Sequence, residues 1–499
     1  MAGQLNAHLY LGTTQSLCPD CLNVVPAKIV NRDGQIWFDK FCPDHGSRSD
    51  FVCSDAKWWD RMEFNVPGRR PVKFGVEPNR GCPYDCGLCT QHEQHTCIAV
   101  LELTDSCNLK CPMCYAASGP GRKHLTFDQC VAAIDRLVEV EGRPEILQLS
   151  GGEPTIHPQF AEVLQYACDQ PIDLVMVNTN GIRIASDERL VEVLAQQKNR
   201  CQIYLQMDGL NDRSNEYLRG ESLLDRKMKA TEVLGAAGLN VTLVATMQPD
   251  LNMDQIGPLI EFAIQRPWIT GVSFQPATYV GRSALPEDLS RRITFPDIIR
   301  EVELQTQSRF RESDFFPIPC AHPNAHTLCY AFRSGTEVVP VTRFVDIEKH
   351  FDLLANGISL NRENTRQIVE QLMLRESCGP GCDCSGGAEI EGGLVSLMQS
   401  STAPKTNGSD IDWASLASDF FSRAMSADLG NADMFRITTT SFMDVYNFDI
   451  RQLMKSCVHH LLPSGHLVPF CAWNVLYRDG HIPLPDLEKA KLADTVNLS

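Results

Sequence analysis

The strongest constraint on this chain is where its cysteines fall. Of 21, eleven crowd the first quarter: Cys18, Cys21, Cys42, Cys53, Cys82, Cys86, Cys89, Cys97, Cys107, Cys111 and Cys114. Seven more, Cys320, Cys329, Cys378, Cys382, Cys384, Cys457 and Cys471, lie in the last third, and Cys130, Cys168 and Cys201 stand singly between. The first residues, Met1-Ala2-Gly3-Gln4-Leu5-Asn6-Ala7-His8, lack the basic start and apolar stretch of a secretory leader. An odd cysteine count in such a chain does not suggest a disulfide framework. Thiolates at short spacings are ligands for soft metals, so the expectation is a cytoplasmic metalloprotein.

The middle of the chain alternates short apolar runs with helical stretches. The runs are Ile98 to Leu103, Ile146 to Leu149, Leu174 to Val177, Ile203 to Leu205, Val241 to Ala245 and Val272 to Phe274. The helical stretches include Phe127 to Val140, Gln159 to Cys168, Asp187 to Gln197, Leu223 to Leu234 and Met253 to Ile264. Six strand–helix repeats predict a parallel sheet with helices outside, curved into an open or closed barrel whose site lies at the C-terminal strand ends. Polar and glycine clusters sit at those ends: Thr104-Asp105-Ser106, Ser150-Gly151-Gly152-Glu153-Pro154, Asn178-Thr179-Asn180-Gly181, Gln206-Met207-Asp208-Gly209, Thr246-Met247-Gln248 and Gln275-Pro276-Ala277. Composition excludes other classes. At 43% hydrophobic and 21% charged the chain is not disordered, and a net charge of −17 argues against a broad nucleic-acid surface. No run of about 18 apolar residues occurs that would span a bilayer.

Directly after the first run comes Cys107-Asn108-Leu109-Lys110-Cys111-Pro112-Met113-Cys114-Tyr115, a C-x3-C-x2-C loop. Three thiolates on one loop can hold three corners of a [4Fe–4S] cube and leave the fourth iron open. A structural zinc would instead ask for four ligands, usually as C-x2-C pairs.

With this loop, the Gly-Gly-Glu-Pro segment and the six repeats, the chain resembles the radical S-adenosylmethionine (SAM) superfamily. Two further stretches, Gly81-Cys82-Pro83-Tyr84-Asp85-Cys86-Gly87-Leu88-Cys89 with His95-Thr96-Cys97, and His459 to Trp473, resemble a narrower group of tetraether lipid synthases and class D radical SAM methylases acting on pterins. The resemblance implies an α/β fold: a partial (βα)6 TIM-like barrel over residues 98–310. It is preceded by a metal knuckle (1–67) and an iron–sulfur loop (68–97), and followed by a C-terminal auxiliary-cluster domain (311–499). It also implies that Cys107, Cys111 and Cys114 hold the cube whose open iron chelates SAM. Reductive cleavage then gives a 5′-deoxyadenosyl radical that attacks an unactivated C–H bond. Gly151, Gly152 and Glu153 would meet the methionyl amino group, Asn180 and Gln206 would lie near the ribose or carboxylate, and Tyr115 or Met113 would pack on adenine.

Cys82, Cys86 and Cys89 with Cys97 are expected to close a second [4Fe–4S] cluster for electron transfer. Cys18, Cys21, Cys42 and His45, with Cys53 competing for the fourth place, would hold one mononuclear zinc or iron. Cys320, Cys329, Cys457 and Cys471 are candidates for a third cluster, with Cys378, Cys382 and Cys384 in reserve. Cys130, Cys168 and Cys201 are expected to be buried apolar residues. The expected partners are a small-molecule or lipid substrate and an electron donor of reductase, ferredoxin or flavodoxin type; peripheral membrane contact stays open. The competing functions are carbon–carbon bond formation or methylation on a lipid or pterin, modification of a peptide or protein, and a metal-stapled binding module. The strand-end polar set argues against the last.

Overall fold

The computed structural model describes residues 8–335, 337–354, 362–377 and 413–487. Cys378, Cys382, Cys384 and the polar stretch 400–410 lie outside them.

The first body is an antiparallel four-stranded sheet, β1 (Leu9–Leu17), β2 (Val24–Arg32), β3 (Gln35–Cys42) and β4 (Gly46–Cys53), in sequential order. The β2–β3 turn runs through Asp33 and Gly34, both at positive φ, which is the backbone a tight two-residue hairpin demands. A buried ion pair lies within this sheet: Lys40 Nζ is 2.9 Å from Asp50. It also donates to the carbonyls of Leu17, Val445 and Tyr446 at 3.2, 3.1 and 2.7 Å.

The six apolar runs form six parallel strands: β5 (Ile98–Thr104), β6 (Ile146–Gly151), β7 (Leu174–Thr179), β8 (Cys201–Gln206), β9 (Val241–Met247) and β10 (Ile269–Pro276). They read as near-continuous apolar segments because both faces are covered. Around them pack α1 (Phe127–Glu141), α2 (Phe160–Asp169), α3 (Glu188–Gln196), α4 (Asp212–Arg219), α5 (Leu224–Ala236), α6 (Ile256–Ile264) and α7 (Phe295–Gln305). Helix α1 starts where it does because Thr126 and Gln129 form a reciprocal capping box, and it buries Ile134 and Leu137 against the sheet.

The partial barrel expected from the sequence is therefore present, and the C-terminal third enlarges it. After β11 (Phe316–Pro317), β12 (His326–Ser334) and β13 (Glu337–Pro340) come β14 (Met434–Thr440), β15 (Val458–Leu461) and β16 (Leu467–Pro469). Strand β14 pairs parallel with β10, and β15 pairs parallel with β5. Among the described residues the parallel set thus numbers eight, in the order β15-β5-β6-β7-β8-β9-β10-β14, with antiparallel β12 and β16 flanking it. The chain beyond residue 310 contributes strands to the barrel's own sheet instead of standing apart. No described helix is long and apolar enough to cross a membrane.

Candidate active site

At the C-terminal ends of the parallel strands lies a cavity of about 180 Å³. The loop after β5 lines it with Cys107, Cys111, Cys114 and Tyr115; β6 adds Gly151, Gly152 and Glu153, β7 Asn178 and Asn180, and β8 Gln206. The cysteine loop is fixed from the far side by Arg282. Its backbone exchanges hydrogen bonds with Cys114 at 2.8 and 2.9 Å, and its side chain donates to the carbonyls of Cys111 and Ser118 at 2.5 and 2.8 Å.

The glycine pair is required by close approach. A Cβ on Gly152 would stand 2.1 Å from the Ser106 carbonyl oxygen and 3.0 Å from Cys107 Cβ; one on Gly151, whose φ is +123°, would stand 2.3 Å from the Thr104 oxygen. The end of β6 therefore nests against the cysteine loop only without side chains. Gly152→Ala should push Cys107 out of place and slow about 100-fold the SAM cleavage that the resemblance implies. Gly119→Ala, whose added Cβ meets nothing within 4 Å, should leave it unchanged. Measuring 5′-deoxyadenosine release in the two variants checks this, and equal rates would refute it.

Glu153 is buried and ties the ends of β6 and β7 together. Its carboxylate accepts hydrogen bonds from Thr155 (N at 3.2 Å, Oγ1 at 2.7 Å), Thr179 Oγ1 at 2.8 Å and the Asn180 N–H at 2.8 Å. Burial pushes its pKa up, while these donors pull the other way. Asn180 donates to the Asn108 side chain at 2.7 Å, and Gln206 donates to Asn178 at 3.0 Å. Tyr115 stands where this cavity meets a second one inside the barrel, its ring 5.3 Å from Phe470, which stacks on Phe442 at 4.0 Å. Met113 packs with Leu218, Leu251, Ala277 and Tyr279.

Three features escaped the sequence reading. Arg219, at the end of α4, donates to Gln206 at 3.1 Å and makes a bidentate pair with Asp208 at 2.6 and 2.7 Å. Its charge acts on Cys111, so it lies beside the thiol set. Helix α4 is polar almost throughout, and only a helical spacing of its few buried residues marks it. Phe442, Phe470, Cys471 and Asn474 return to the same cavity from the C-terminal part. The third is the interior cavity, about 160 Å³, walled by Gln148, Asn178, Tyr204, Gln206, Gln275 and Arg436 among others.

The structure sorts the remaining cysteines differently from the spacing. In the N-terminal sheet Cys18, Cys21, Cys42 and His45 bring one donor each within 4.8 Å of one another. Cys21 and Cys42 sulfurs are 3.8 Å apart, and His45 Nδ1 is 3.6 and 3.5 Å from those of Cys18 and Cys42. With bonds of about 2.3 Å to sulfur, a tetrahedral ion spaces its ligands about this far, so the set fits one metal. Cys53, at the far end of β4, donates to the Asp55 carbonyl.

Cys97 parts from Cys82, Cys86 and Cys89. Its sulfur lies with those of Cys320 and Cys457, all within 4.8 Å, and a second group joins it to His95 and Glu145. The reason is its place at the start of β5, whereas the Cys82 loop is folded separately. There the Asp85 carboxylate gathers the N–H groups of Asn79, Arg80 and Gly81, and Tyr477 donates to the Pro83 carbonyl at 2.6 Å. Cys82, Cys86 and Cys89 remain neighbours of one another. Hydrogen bonds from Cys320 and Cys97 hold the Cys457 thiol well below its usual range, while burial pushes those two up.

Neither Cys329 nor Cys471 joins Cys320 and Cys457. His326, Leu328 and Tyr330 of β12 face the interior cavity, so strand alternation turns Cys329 into the apolar layer outside. Cys471 lines the strand-end cavity and accepts the Met443 N–H at 3.2 Å.

The chain is similar to several known proteins. A profile described as the radical SAM superfamily matches residues 101–263, and one described as the HMPTM N-terminal zinc ribbon domain matches residues 10–54. The chain is 32% identical over 498 residues to the 7,8-dihydro-6-hydroxymethylpterin dimethyltransferase of Methanocaldococcus jannaschii, covering 93% of this chain and 94% of that protein. It is 30% identical over 156 residues to mycofactocin maturase MftC of Mycolicibacterium smegmatis, 31% of this chain and 38% of the maturase. Among solved structures, Streptococcus suis SuiB covers 43% of this chain and 46% of its own at 21% identity, with a TM-score of 0.36.

Proposed function

The chain belongs to the radical SAM superfamily, and from that we propose that it methylates, or otherwise builds a carbon–carbon bond on, an unactivated carbon of a pterin-like ring. The observation that carries this reading is the interior cavity. It is short, it opens beside the SAM end of the barrel, and carboxamides line it: Gln148, Asn178, Gln206 and Gln275, with the Tyr204 hydroxyl. Carboxamides offer donors and acceptors side by side, as the edge of a fused pyrimidine requires. Tyr115, Phe442 and Phe470 offer faces for its plane. A long lipid chain would ask for an apolar channel instead, and a peptide for an open sheet edge or an acidic cleft. The pterin dimethyltransferase named above is similar along nearly the whole chain, which supports the same substrate class.

The residues at the strand ends fit an iron–sulfur cube: three thiols on one loop, no fourth cysteine in its C-x3-C-x2-C spacing, and glycine backbone packed against it. Cys107, Cys111 and Cys114 would hold a [4Fe–4S] cube, which when bound would supply the electron for reductive cleavage of SAM. Gly151 and Gly152 let backbone approach the methionyl amino group, and Glu153 keeps their strand end in place. Arg219 offers its guanidinium to the carboxylate end, with Gln206 and Asn180 beside the ribose. Tyr115, Phe442 and Phe470 keep water from the passage between the two cavities. Cys82, Cys86 and Cys89 would hold a second iron–sulfur centre fed by a reductase, ferredoxin or flavodoxin. Cys97, Cys320 and Cys457 would hold a further metal at the cavity wall, which Cys457 lines. The ribbon set of three thiols and one imidazole suits zinc in a structural role.

Reduced, reconstituted enzyme given SAM and 6-hydroxymethyl-7,8-dihydropterin should release 5′-deoxyadenosine faster than without the pterin. The pterin should gain one or two methyl groups, read by mass spectrometry. An unaltered pterin, with an alkyl glycerol lipid consumed in its place, would overturn the substrate assignment.

A further inference from the structure

The interior cavity has an electrical asymmetry. Among its described lining residues Arg436 is the one lysine or arginine, and none is aspartate or glutamate. Arg436 Nη2 donates to the Gln202 side-chain oxygen at 3.2 Å and to Thr242 Oγ1 at 3.4 Å, both neutral partners. Its Nε and Nη1 make no hydrogen bond to the described residues. Arg436 is half-buried, and neither of these acceptors carries a charge that balances its own. What remains free are the N–H groups of Nε and Nη1, each able to donate a charge-assisted hydrogen bond to an oxygen of a carboxylate or phosphate.

The position of this charge is as informative as its sign. Arg436 is paired in register with Gly271 near the start of β10, while Gln275 sits near the other end of that strand. On β8 its partner Gln202 is four residues from Gln206, about 13 Å along a strand. The carboxamides thus stand toward the SAM end and the cation toward the opposite end, a span that leaves room for a substituent beyond a bicyclic ring.

We propose that Arg436 is an anion subsite, and that the substrate carries an acidic oxygen group, phosphate or carboxylate, on a tail pointing away from SAM. This rests on the pterin reading above and deepens it. Arg436 would then select among ring compounds without touching the reacting carbon. Its charge would also hold the ring in one orientation, because the reversed ring would leave the anion against carboxamides alone.

The test is equilibrium binding to the anaerobic, metal-loaded enzyme in the presence of SAM. The ligands are 6-hydroxymethyl-7,8-dihydropterin, its phosphate and diphosphate esters, and a pterin with a carboxylate-ended tail. The wild type should bind at least one anionic form about 10- to 100-fold more tightly than the neutral alcohol. Arg436→Gln should lose that advantage and keep its affinity for the alcohol, and Arg436→Lys should retain part of it. The phosphate and carboxylate arms tell the two sources of charge apart. If the wild type binds the alcohol as well as every anionic form, the anion subsite is wrong and the pterin reading stands. If no pterin binds at all, both fall. If Arg436→Gln keeps the preference but loses metal from Cys97, Cys320 and Cys457, the charge serves those thiolates and the proposal fails. Should that variant not fold, the wild-type ratios and Arg436→Lys still decide.

Discussion

Replacing Cys107, Cys111 or Cys114 singly by alanine is expected to abolish SAM cleavage, with 5′-deoxyadenosine falling to the level of enzyme left unreduced. Two remaining thiolates would leave two irons of a cube without protein ligands, and such a centre neither persists nor presents a single vacancy to one chelating ligand. The surroundings offer no substitute donor of the same kind. The other cavity cysteine, Cys471, is engaged by the Met443 N–H, and Arg219, beside Cys111, is cationic. Chromatographic quantitation of 5′-deoxyadenosine after dithionite reduction checks the expectation. Substantial release by any one of the three variants would remove the site.

A comparable loss, of stability this time, is expected from Asp208→Ala. Asp208 is fully buried and accepts from Arg219 twice, from the Thr246 N–H at 3.0 Å and from Lys227 at 3.5 Å. Removing it strands one guanidinium and one ammonium in the interior, which costs about 3–5 kcal/mol where a buried pair is broken from one side. Burial alone would raise the carboxyl's pKa, but Arg219 and Lys227 outweigh it and hold the group at about 2. A carboxylate with a depressed folded pKa stabilises fully above its unfolded value of about 3.9 and loses that contribution as pH falls through about 2. Burial draws Lys227 down to about 8, so the ammonium sheds its proton in the folded chain before it would in the unfolded one. Urea denaturation of the variant at pH 7 measures the cost. A change under about 1 kcal/mol would mean that the three charges are not coupled as the distances imply.

The barrel was legible because strands covered on both faces must be apolar throughout, and because polar residues recur at one end of each. The Cys107 loop was legible for a related reason: a short loop after a strand has only one place to put its three thiols. What escaped depends on the third dimension. Cys97 is ten residues from Cys107 and eight from Cys89, yet β5 runs between Cys97 and Cys107 and puts them at opposite ends of the barrel. Its neighbours Cys320 and Cys457 arrive from more than two hundred residues away. Cys329 fails as a ligand through the two-residue alternation of β12, a fact hidden until that segment is known to be a strand. Arg219 was invisible because α4 is polar, and β15 because four residues show no periodicity.

Cys320, Cys457 and Cys97 precede β12, β15 and β5, strands that reach the barrel's two free margins from opposite directions, and the described parts of those margins share no ladder hydrogen bonds. A metal bound by all three would therefore work as a clasp across the open stave. The clasp cannot close until the ribosome has delivered residue 457, which comes just ahead of β15 and β16, the last strands of the sheet.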